Sequence, residues 1–180
     1  MAKYTFDLSH SGISFQVRHM VVSKVRGTFD KWEGELELDE SDLTQSRVRV
    51  SIDAASVNTR EQKRDEHLRS ADFFDVQKFP QLVFESTRME KAGEGYRLVG
   101  NLSVHGVTKE VALEVELNGF AKSPWGDERV GFSAKGGVDR RDFGLVYNAA
   151  LEAGGVLIGD RVEIGIEIEA VKQAASTQAA

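Results

Sequence analysis

The amino-acid sequence predicts an all-β fold, an eight-stranded antiparallel β-barrel with a short helical crossover, and three observations predict it. Eight separate runs alternate apolar and polar residues with period two, the signature of strands buried on one face. Most of these runs are joined by turns short enough for antiparallel neighbours. Each run is polar on its second face, so the sheet must curl shut or pair with another sheet. Strands about ten residues long favour closure, which leaves no exposed edge.

Taken in chain order, GISFQVRHM (12–20) sets Ile13, Phe15, Val17 and His19 in one phase and Ser14, Gln16 and Arg18 in the other. VRGTFDKWEGELELD (25–39) reads as one long strand, with Gly27 and Gly34 as points of bulge or bend. SRVRVSID (46–53) alternates Val48, Val50 and Ile52 against Arg47, Arg49 and Asp53. The same period returns at 81–89, 96–104, 109–120 and 128–138, and most clearly at 161–171, where Val162, Ile164, Ile166 and Ile168 oppose Glu163, Glu167 and Glu169. KAGEG (91–95) and HGVT (105–108) are hairpin turns, the second with Gly106 at positive φ.

Residues 54–80 break the pattern. Thr59 followed by Gln62 fits a capping box, and Glu61 to Arg69 is a helix too polar to stand alone. It must dock by its C-terminal end, where the adjacent Phe73 and Phe74 suit a plug over a barrel mouth.

The 180 residues suffice for one domain, read as 1–172 with a flexible tail at 173–180. A formal net charge of −6, with acids interleaved among the basic residues, argues against a nucleic-acid partner. The absence of cysteine excludes disulfides, thiol catalysis and cysteine-ligated metal. No apolar run is long enough to span a bilayer as a helix. The first ten residues lack the apolar stretch of a secretory signal, so the chain as written is expected in the cytoplasm, or in the periplasm if a leader has been removed.

An eight-stranded barrel can be filled by its own side chains or hold one small ligand. The inward phase mixes large residues (Phe15, Phe29, Phe84, Leu98, Leu102, Phe132) with small ones (Gly27, Gly100, Ala134, Gly136). The small residues leave volume for a guest, or they serve strand coiling alone. If a cavity is present, its lining suits a hydrocarbon chain, and strands of this length would give a tunnel of about 25 Å.

Four motifs in order, DLSHSGISFQVRH (7–19), NTREQKRDEHLRSADFFDV (58–76), LSVHGVTK (102–109) and DRRDFG (139–144), together resemble the YceI-like family over nearly the whole chain. The resemblance implies a lipocalin-like barrel carrying a polyisoprenoid or related long-chain lipid such as an isoprenoid quinone, with no other cofactor and no established catalytic reaction. It also implies a homodimer. The matching apolar positions, Ile13, Phe15, Val17, Phe73, Phe74, Leu102, Val104 and Phe143, are implied at the lining or its entrance, beside Phe29, Phe84 and Phe132 from the inward phase.

His19, in the inward phase, should have a polar partner or meet a lipid head group. Arg64, Asp65 and His67 read as an ion-pair and capping cluster pinning the crossover; alternatively Arg64 and His67 offer donors to a head group. Arg140, Arg141 and Asp142 read as a salt-bridged loop. The four histidines lack metal-binding spacing, and there is neither a nucleophile elbow nor a dinucleotide fingerprint. The reading is therefore a non-enzymatic lipid binder. The alternatives are a lipid-modifying enzyme in which His10, His19 and His67 converge with Arg and Asp at the barrel mouth, and an interaction module with a filled barrel.

Overall fold

A computed structural model describes residues 1–151 and 156–174. Residues 175–180 of the expected tail lie outside the described residues. The chain forms β1 (Ala2–Phe6), β2 (Gly12–His19), β3 (Ser23–Phe29), β4 (Trp32–Leu38), β5 (Arg47–Asp53), β6 (Val57–Asn58), α1 (Gln62–Arg69), β7 (Gln81–Ala92), β8 (Gly95–Val104), β9 (Val107–Lys122), β10 (Glu128–Asp139) and β11 (Ile158–Lys172).

These segments make eight staves, because three staves are broken in the middle. β1 and β2 both pair with β11, β3 and β4 pair with β2 and β1 respectively, and β5 and β6 pair with β4 and β3. From there β7 to β11 follow as a meander, and the β1–β11 pairing closes the barrel. All named pairings are antiparallel.

The breaks lie side by side. Asp30 marks one: its carboxylate accepts from Thr28 Oγ1 at 2.7 Å and Asn58 Nδ2 at 2.8 Å, and its backbone N–H donates to Ser56 O at 3.2 Å. The bend in the 25–39 strand therefore falls at Asp30–Lys31 rather than at Gly27 or Gly34, whose pairings with Phe15 and Val50 run without a register shift. Between β1 and β2, Asp7 is the hub of an outer cluster, accepting from Arg129 Nη1 at 2.9 Å and lying 2.9 Å from His10 Nδ1. Hydrogen bonds from Ser9 and His10 and the Arg129 guanidinium hold its carboxyl well below the usual carboxylate range.

At one end of the barrel Tyr4, Leu36, Leu38, Leu43, Val130 and Ala170 pack together, all buried. The helix and the β2–β3, β8–β9 and β10–β11 connections gather at the other end, called the mouth below. The helix caps itself differently from the Thr59–Gln62 expectation. Glu61 is the N-cap and accepts from Arg64 N. Thr59 instead donates N–H (2.8 Å) and hydroxyl (2.6 Å) to the buried Asp65 carboxylate. The HGVT turn has His105 and Gly106 both at positive φ, the two-residue hairpin turn whose twist matches the flanking strands.

Candidate functional site

The barrel encloses a cavity of about 650 Å³ that extends from Leu38 and Val48 near the packed end to His67 and Tyr147 at the mouth. All fourteen residues singled out from the sequence line it: Ile13, Phe15, Val17, His19, Phe29, Arg64, His67, Phe73, Phe74, Phe84, Leu102, Val104, Phe132 and Phe143. The exposed Arg18 and Lys63 border it at the mouth, and Ser46 and the exposed Arg47 border it at the opposite end.

The small inward residues act in an unexpected way. A Cβ on Gly27 would lie 2.4 Å from Phe15 Cζ, one on Gly100 would lie 2.5 Å from Phe84 Cζ, and one on Gly136 would lie 2.7 Å from Leu113 Cδ2. These glycines do not border the cavity. Each gives a bulky neighbour room to lie flat along the wall, and that leaves the barrel axis open. Ala134 alone of the small set lines the space directly.

A consequence can be tested. In Gly27→Ala the new methyl displaces the Phe15 ring, since the other near atom, Thr59 Cγ2 at 3.0 Å, also belongs to a side chain. We expect about 1 kcal/mol of destabilisation by thermal unfolding. Calorimetric titration should show about tenfold weaker binding of a long apolar ligand, as the ring enters the lumen.

At the mouth, Phe74 packs edge-on to Phe29 (5.7 Å), while His67, Phe73 and Tyr147 form a mutual cluster with centroids 4.8–5.2 Å apart. Phe73 is buried, so the helix docks by the end that carries its aromatics.

The polar expectations separate. Arg64 donates from Nε to Thr59 Oγ1 at 2.7 Å and from Nη2 to Thr59 O at 2.8 Å, making no ion pair with Asp65; both instead clamp Thr59. His67 Nε2 is 2.9 Å from Asp72 Oδ2. Both are thus engaged with protein groups. The expected partner of His19 is absent: among the described residues its ring makes no hydrogen bond, which half-exposure at the rim permits. His10 belongs to the outer Asp7 cluster and does not line the cavity, so the three histidines do not converge.

The sequence pointed neither to Tyr147 at the mouth nor to the buried setting of Arg140 there. Tyr147 lies in a segment without periodicity. Arg140 pairs with Asp160 at 3.6 Å, as a salt-bridged loop requires, but it is buried: it is 5% exposed, and its guanidinium donates to Gly159 O (2.9 Å), Leu145 O (2.6 Å) and Tyr147 O (2.9 Å). Burial pulls its pKa below the ordinary guanidinium value, against the favourable field of Asp160 and Asp139. Arg141 fits the salt-bridge expectation as well, 2.8 Å from Asp139 Oδ2 and 3.5 Å from Asp160 Oδ2.

The family profile described as the YceI-like domain matches residues 4–170. The chain belongs to the YceI-like family. A UPF0312 protein of Serratia proteamaculans is 41% identical over 173 residues, covering 95% of this chain and 87% of that protein. Among solved structures, a Campylobacter jejuni YCEI protein is similar at a TM-score of 0.75 and 32% identity, over 87% of this chain and 90% of that one. A polyisoprenoid binding domain from Saccharophagus degradans, implicated in plant cell wall breakdown, shares the fold at a TM-score of 0.68 and 16% identity, over 96% of this chain and all of its own. The closed barrel with one short helix is thus the fold of this YceI-like chain and of its structural relatives.

Proposed function

We propose that this YceI-like barrel binds one long-chain isoprenoid lipid, a polyisoprenoid or an isoprenoid quinone, and stores or carries it in its lumen. The observation that carries the reading is the cavity itself: an almost wholly aliphatic and aromatic tunnel running along the barrel interior to the mouth. Nothing but apolar burial is needed to hold a chain there, at about 0.8 kcal/mol per methylene before the cost of ordering it. The Saccharophagus degradans domain, named for polyisoprenoid binding, supports the choice of an isoprenoid. The rim carries His19 and Lys63 as groups to meet a quinone carbonyl or phosphate.

A series of isoprenoid quinones of increasing tail length tests this reading. Affinity should rise with each added unit and level off when the tail exceeds a tunnel of about 25 Å. Affinity independent of tail length would contradict it.

A further inference from the structure

We propose that the β2–β3 hairpin is a docking element for an anionic lipid bilayer, seating the open mouth of the barrel on the surface from which cargo enters. The proposal rests on the lipid-binding reading above.

The tip consists of Met20, Val21 and Val22, which are 44%, 62% and 86% exposed. Adjacent apolar side chains this exposed at a hairpin tip forgo much of the gain from packing, Val22 nearly all of it. They are also held at a conformational cost, because Met20 (φ 52°) and Val21 (φ 64°) occupy the left-handed region, where a β-branched residue is an outlier. Glycine or asparagine would turn the chain there without strain. The tip is therefore built to present apolar groups rather than to close the hairpin cheaply.

Charge supplies the second observation. Arg18 and Lys24 face each other across the hairpin, and Arg26 follows Lys24 on the same outer face. Among the described residues none of the three is in an ion pair, although the chain as a whole carries −6. Like charges directly opposite repel, and an anionic surface would relieve them. The acids nearest in sequence to the mouth helix are otherwise engaged: Glu61 caps it, Glu66 accepts from Gln62, and Asp72 meets His67.

Position supplies the third. Met20 N donates to Leu157 O at 2.8 Å, and His19 and Leu157 both border the cavity, so the tip stands on the rim. Val156, also exposed, extends the apolar edge. A tip of three residues is too small for a stable protein interface, whereas a few apolar side chains flanked by cations match the headgroup boundary of a bilayer.

The test is flotation of the full chain with phosphatidylglycerol–phosphatidylcholine vesicles, pure phosphatidylcholine vesicles serving as the neutral control. The wild type should float with the anionic vesicles, be released by high salt, and stay behind with the neutral ones. The pairs Val21→Asn with Val22→Ser, and Lys24→Gln with Arg26→Gln, should each cut the bound fraction about tenfold. Both should slow quinone uptake from anionic vesicles by a similar factor, while uptake of quinone from detergent solution stays at the wild-type level. Flotation unchanged in both variants, or absent in a wild type that still takes quinone from detergent, would overturn docking and leave the lipid-binding reading standing. Failure to take quinone from detergent as well as from vesicles would overturn the lipid-binding reading instead.

Discussion

Phe15→Glu is expected to empty the barrel. The Phe15 ring lines the lumen, lies against Gly27 and packs on Phe29 at 5.5 Å. Its cross-strand partners, Gly27 and Ile164, carry no charge, and Arg64, the cation beyond Thr59 on this side of the lining, is already held by Thr59. An unpaired charge there costs several kcal/mol unless water enters with it, and water in the lumen displaces the hydrocarbon. Loss of about 3 kcal/mol of ligand binding corresponds to a weakening of about 100-fold or more in quinone titrations. His19→Ala should weaken binding less than tenfold, because that ring sits half-exposed at the rim. Near-ultraviolet circular dichroism distinguishes an emptied barrel from an unfolded one. Equal retention by Phe15→Glu and the wild type would contradict the cavity reading.

Arg140→Ala is expected to have the largest effect on stability. Four backbone carbonyls accept hydrogen bonds from this one buried guanidinium, that of Ile158 at 3.5 Å, and Asp160 pairs with it at 3.6 Å; together they tie the residues after β10 to the start of β11. Charge-assisted bonds of this kind contribute about 1.5–3 kcal/mol each, though not additively, and their loss leaves the carbonyls unsatisfied. We expect a loss of about 3 kcal/mol, a fall in Tm of roughly 6–12 °C for a chain of this size. Tyr147 would lose its anchor and loosen from His67 and Phe73, so ligand release should quicken as well. Arg140→Lys should recover little, since an ammonium cannot fork across four carbonyl acceptors. An unchanged Tm in Arg140→Ala would show that other contacts hold this segment.

The staves were legible because one-sided burial writes period two directly into runs such as 161–171, which matches most of β11. Their interruptions were not. Asp30 ends β3 through partners at Asn58 and Ser56, brought beside it only by the sheet register. The same register hid how the lumen stays open: Phe15 meets Gly27 as a direct cross-strand pair, whereas Phe84 reaches Gly100 diagonally. Composition could show that large and small residues share a phase, but not which ring lies on which glycine. At residue 59 a local motif misled, because the capping-box spacing is satisfied while the Thr59 hydroxyl is drawn to Asp65 and Arg64. Arg140 and Tyr147 lie where no periodicity guides placement. An arginine before a turn reads as surface charge until the fold surrounds it with carbonyls.

Native mass spectrometry of the freshly purified protein, followed by organic extraction, tests the central claim most directly. The expected result is a single stoichiometric long-chain isoprenoid, with a chain length suited to a tunnel of about 25 Å. A bare polypeptide mass that persists after incubation with isoprenoid quinones and polyprenyl lipids would contradict it.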